Sequence, residues 1–128
     1  MNSIGTRNAD GDLGSTTLTT VLLTPVFVVV GFMAFQAALW SHARTEARVI
    51  ARNSAALVAR SNADPGDAAR SAAAILAADT DLTAAAVTVD VSDGLVVARV
   101  TGSAPGMIRG MSAQVAIVEA VPVEEFRP

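Results

Sequence analysis

The 128-residue chain has no cysteine, no tyrosine and no lysine, and its nine basic residues are all arginine. The absence of cysteine excludes a disulfide scaffold, a thiol enzyme and a thiolate metal site. A single histidine, His42, leaves no pair of imidazoles for a zinc centre. Aromatic residues make up 4% of the chain, with one tryptophan. The net charge is −3, opposite in sign to a phosphate-binding surface, so no nucleic-acid partner is expected. Hydrophobic residues form 52% of the chain and charged residues 16%. The length allows one small domain.

The apolar excess is concentrated. Residues 13–43 contain no Asp, Glu, Lys or Arg. The densest part, residues 18–40, reads LTTVLLTPVFVVVGFMAFQAALW. A hydrocarbon core of roughly 30 Å needs about 20 apolar residues in helix, so this stretch is long enough to cross a bilayer. It exceeds the roughly 7–15 residues of a signal-peptide core. Pro25 lies inside it, removes one backbone donor and frees the Val21 carbonyl, so a kink is expected. Thr20 and Thr24 are near enough to bond freed groups. Trp40 suits the membrane–water interface. His42 follows with no acid next to it in sequence, and is read as marking the edge of the apolar zone.

Helix continues beyond the membrane. Residues 41–61, SHARTEARVIARNSAALVARS, lack Gly and Pro and favour helix. Ala43, Ala47, Ile50, Ala51, Ser54, Leu57 and Val58 recur at helical spacing and define one apolar face. Arg44, Arg48 and Arg52 repeat every fourth residue on another side. They form either a solvated face, with contacts to lipid phosphates, or a partner-docking stripe. Glu46 precedes Ile50 and not a basic residue, so no strong i,i+4 ion pair is expected there. One continuous helix is therefore predicted from near Ser15 to near Ser61.

Asp64 and Pro65 are an N-cap and first-turn pair that starts a second helix ending near Ala78, with Ala68, Ala69, Ala72, Ile75 and Leu76 as its apolar face. The period then changes to two. Residues 85–91 and 95–101 are β-branched strands around Ser92-Asp93-Gly94, a hairpin turn. Val87, Val89 and Val91 point one way, Thr88 and Asp90 the other. A loop follows over residues 102–110, with Met107 and Ile108 turned inward. Residues 112–121 make a third strand, and the tail 122–128 is irregular with Phe126 as an anchor. The predicted class is α+β: a long N-terminal transmembrane-plus-amphipathic helix, a second short helix and a small three-stranded antiparallel sheet. The division expected is a leader at 1–14, a transmembrane helix at 15–41, its amphipathic extension at 42–62 and a head at 63–128.

No catalytic constellation is legible. Asp64, Asp79, Asp81 and Asp93 sit at element ends, where Asp is ordinary cap and turn chemistry. Asp67, Asp90, Glu119, Glu124 and Glu125 have no imidazole near them in sequence, and His42 lies at the membrane edge. Gly106 and Gly110 form no phosphate-cradle pattern. No enzymatic activity, cofactor or metal is expected.

At the N-terminal end, Gly14-Ser15-Thr16-Thr17-Leu18-Thr19-Thr20-Val21-Leu22-Leu23-Thr24-Pro25 resembles the start of TadE-like proteins of tight-adherence (Flp-type) pilus systems. These show a Gly, small residues, a Glu, an aliphatic run and a Pro. Residues 36–60, QAALWSHARTEARVIARNSAALVAR, look like the post-membrane helix of actinobacterial members. Residues 100–128, VTGSAPGMIRGMSAQVAIVEAVPVEEFRP, look like their closing strand and Phe-Arg-Pro ending. The resemblance implies a type IV pilin-like membrane protein. A prepilin-type peptidase would cut between Gly14 and Ser15. The partners implied are membrane lipids, other pilin-like subunits and the pilus assembly machinery. The head would lie outside the cytoplasm, in or priming a pilus or related secretion filament.

Two features bear on that expectation. The family's glutamate position is Thr19 here. In pilin-like proteins that carboxylate pairs with the N-terminal amine of a neighbouring subunit, and a carboxylate in lipid is costly without such a partner. Thr19 carries no charge, which points to a minor, initiating or capping subunit, or to an uncleaved signal anchor. The flanking charges pull the other way. Arg44, Arg48 and Arg52 follow the span, whereas Arg7 precedes it beside Asp10 and Asp12, and the positive-inside rule taken alone puts the head in the cytoplasm. The alternative expectation is accordingly a single-pass membrane protein with a small protein-binding head and no filament.

Overall fold

A computed structural model describes residues 10–124 of the chain. The first nine residues of the expected leader, Arg7 among them, lie outside the described residues, as do Phe126 and the rest of the expected Phe-Arg-Pro ending. Five elements follow one another: α1 (Asp10–Ser61), α2 (Pro65–Asp79), β1 (Thr83–Ser92), β2 (Leu95–Ala104) and β3 (Ala113–Pro122). The α+β class with two helices and a three-stranded antiparallel sheet is the one the sequence predicts. The chain forms two compact units, Met1–Phe35 and Gln36–Pro128.

In the first unit α1 stands without cover. Leu18, Val21, Leu22, Val26, Phe27, Val28 and Met33 are each more than half exposed, an apolar surface that is unfavourable in water. The helix passes through Pro25 without interruption. Thr24 Oγ1 donates to the Thr20 carbonyl at 2.7 Å and Thr20 Oγ1 to the Thr16 carbonyl at 2.9 Å. The two hydroxyls therefore bond carbonyls one turn back, not the Val21 carbonyl that Pro25 leaves free. This back-bonding keeps polar groups satisfied within the helix itself.

In the second unit α1 turns a stripe of small residues to the sheet. Ala43, Ala47, Ala51, Ala55, Val58 and Ala59 are buried, and Ala47, Ala51 and Ala55 are fully so. The seam differs from the predicted face at its edges: Leu57 is 52% exposed and Ile50 is half-buried. The stripe joins one core with Leu76 of α2 and with Val96 and Val100 of the sheet. Ser54, also in the seam, satisfies its hydroxyl on the Ile50 carbonyl at 2.8 Å.

The corner between the helices is built from local chemistry. Asn62 takes a left-handed φ of 51° and its N–H donates to the Val58 carbonyl at 3.1 Å, closing α1. Asp64 is extended, and its Oδ2 accepts from the Asp67 N–H at 3.0 Å. Pro65 occupies the first turn of α2. Asp67 also pairs with Arg70. Ala68, Ala72 and Leu76 are the buried side of α2, whereas Ile75 is 46% exposed. Thr80 ends the helix through its N–H and its Oγ1, both on the Leu76 carbonyl.

The strands are ordered β1-β2-β3, so β2 is central. Ser92 pairs with Leu95, leaving Asp93 (φ 50°) and Gly94 (φ 75°) as a two-residue turn. Both residues are left-handed, as a type I′ hairpin requires. The Val123 N–H returns to the Gly94 carbonyl at 2.8 Å, tying the end of β3 to this turn. Along β2, Val96, Ala98, Val100 and Ala104 alternate inward; Val115 and Ile117 do so on β3. Burying each valine or isoleucine fully stabilises the fold by about 1.5–3 kcal/mol.

Val91 is 51% exposed on the edge strand, although Val89 and its β2 partner Val96 are buried. Two local expectations are corrected. Between Thr83 and Ala86 the register shifts, and Ala84 takes φ 50°, so β1 begins with a bulge and not at Ala85. Met107 and Ile108 are each 51% exposed and do not turn inward.

Candidate functional site

Two groups of residues carry the functional expectations, and they lie in different units. The first is on α1 before Phe35. Gly14 and Ser15 are exposed within the helix, because α1 begins at Asp10 and not near Ser15. Among the described residues, nothing lies within 4 Å of the position a Cβ would take on Gly14. Glycine is the residue that weakens a helix by about 1 kcal/mol relative to alanine, which lowers the cost of opening the turn at that bond. Thr19 is exposed, one turn before the Leu22-Leu23 pair. Pro25, with Val26, Val29 and Val30, lines a shallow apolar dent in the helix surface.

The second group surrounds Trp40. The Arg44 guanidinium stacks over the Trp40 ring at 4.7 Å from its centroid, a cation–π contact. Arg48 pairs with Glu119 of β3 at 3.4 Å. Trp40 Nε1 donates to the Gln114 carbonyl at 3.4 Å. Arg52 is exposed. The three arginines thus differ: Arg44 is held on an aromatic face, Arg48 is tied to the sheet, and Arg52 faces solvent. The stripe is not one uniform surface. Trp40, Ser41, Arg44, Thr45 and Arg48 border an open surface concavity of about 240 Å³.

Sequence reading missed several partners. Glu46 Oε1 lies 3.2 Å from His42 Nε2, one turn apart, an ion pair when the imidazole is protonated. The four-residue spacing back from Glu46 is its signal. Gln36 was not singled out, yet its Oε1 accepts the Met107 N–H at 3.0 Å, 71 residues away in sequence. Gly106 lies where a Cβ would run into the Met111 carbonyl and come within 3.0 Å of Gln36 Nε2. Only glycine lets this loop close against the helix.

Among the described residues no group of three or more His, Cys, Asp or Glu is placed to hold a metal ion. Among the described residues, one helix is long and apolar enough to cross a membrane. No family model, no curated protein and no solved structure matches the chain.

Proposed function

We propose that the chain is a TadE-like minor pilin or pseudopilin, a membrane-anchored component of a tight-adherence pilus or a related secretion filament. The observation that carries this reading is the change of role along α1. Up to Phe35 the helix presents large apolar side chains outward; from Ala43 on it seals an antiparallel sheet with alanines. A helix of this kind is stable in lipid and can exchange lipid contacts for helix–helix packing with little change of environment. The reading gives the chain no chemistry of its own. Its membrane helix is a peptidase substrate at Gly14 and Ser15, and Thr19 in place of a carboxylate suits an initiating or capping position.

A second reading is a single-pass membrane protein whose head binds a protein partner in the cytoplasm. The observation that favours it is the arginine flank, Arg44, Arg48 and Arg52, on the head side of the span. In the pilin-like reading, Arg44 and Arg48 have structural employment on Trp40 and Glu119, which weakens their weight as a topology signal. A reporter fused after Pro128 distinguishes the two. Activity of an export-dependent reporter is the expected result; activity of a cytoplasm-only reporter overturns the pilin reading.

A further inference from the structure

The loop between β2 and β3 joins the head to the membrane end of α1. Residues 105–112 read PGMIRGMS, and Met107, Ile108 and Met111 are each at least half exposed. Three large apolar side chains in one short loop are more than a water-facing turn usually shows. The loop is held at a defined height. The Met107 N–H donates to Gln36 Oε1 at 3.0 Å, and Trp40 Nε1 donates to the Gln114 carbonyl at the start of β3 at 3.4 Å.

Gln36 is itself unusual. It is the only hydrogen-bonding side chain between Thr24 and Trp40 in the apolar run. A polar amide there is costly in lipid unless it has a partner, and the loop supplies one. Gln36 lies four residues before Trp40, about 6 Å closer to the bilayer centre at 1.5 Å per residue. With Trp40 at the interface, a loop bonded to Gln36 reaches the boundary between headgroups and acyl chains, roughly 5–10 Å deep. Its composition matches that depth. Met107, Ile108 and Met111 suit the acyl side, and Arg109, with Arg44 on the Trp40 ring, suits the phosphates.

We propose that this loop is a second membrane contact: Met107, Ile108 and Met111 insert into the interfacial layer of the bilayer that α1 crosses, pinned there by Gln36. The partner is a lipid surface. The inference rests on the bilayer-crossing reading of α1 and not on filament assembly. The Asp93-Gly94 turn, at the opposite end of β2 from this loop, serves as the reference outside the lipid.

The chain has no cysteine, so single labels are clean. Met107→Cys, Ile108→Cys, Val28→Cys and Asp93→Cys variants of the full chain, each carrying an environment-sensitive fluorophore, are reconstituted in phosphatidylcholine vesicles with and without spin-labelled lipid. The labels at Met107 and Ile108 are expected to lose emission to a quencher placed near the headgroups and to shift to the blue. Val28 is expected to lose emission to a quencher deep in the acyl chains, and Asp93 to neither. Quenching at Val28 with Met107 and Ile108 as unquenched as Asp93 overturns the loop contact and leaves the span standing. Absence of quenching at Val28 overturns the span and the loop contact together.

Discussion

Asp64 shows how much a single side chain settles. Its carboxylate caps α2 on the Asp67 N–H just after Asn62 has closed α1 in the left-handed region. Asp64→Ala is expected to cost about 1 kcal/mol, lowering Tm of the detergent-solubilised chain by roughly 4–8 °C; calorimetry checks it. Thr19 carries the functional argument at the same scale. A glutamate there is costly in lipid unless an amine from a neighbouring subunit meets it. Thr19→Glu is therefore expected to move the chain from the membrane fraction into sheared filaments. An unchanged distribution and unchanged filament length would remove the argument that Thr19 marks a minor or capping position.

Elements were legible where local chemistry decides them. The cap at Asp64, the turn at Asp93 and Gly94 and the alternation around Val89 and Val100 each follow from residue type. What the sequence did not show depends on distant partners. The helix seam runs through Ala55 and Ala59, with Leu57 left outside, and periodicity alone cannot tell a small contact face from a bulky one. The bulge at Ala84 follows from pairing with β2. The bond from Met107 to Gln36 joins positions 71 residues apart and has no local signal. Of the candidate site, the arginine spacing was legible, but not that Arg44 and Arg48 are committed to Trp40 and Glu119. The seam gives its own prediction. Ala51 is fully buried in the core that α1 shares with α2 and the sheet, so Ala51→Leu is expected to destabilise by about 1–3 kcal/mol through overpacking. Denaturant unfolding in micelles measures it, and a midpoint unchanged from the parent would mean that the seam is looser than described.

At the scale of the whole molecule, the apolar composition separates into two populations with different solvents. The uncovered part of α1 is matched to lipid, whereas the alanines and valines of the second unit form an ordinary small core. From Ser61 onward there are nine acidic residues and four arginines, so the negative net charge belongs to the head. A packing-based assembly role asks for these properties and for no reactive side chain. Its central claim is that the membrane helix is matured by cleavage after Gly14 and then joins other subunits. Intact-mass measurement of the chain isolated from its native membrane tests that most directly. The account predicts a chain beginning at Ser15, whereas a chain still beginning at Met1 or Asn2 would contradict it.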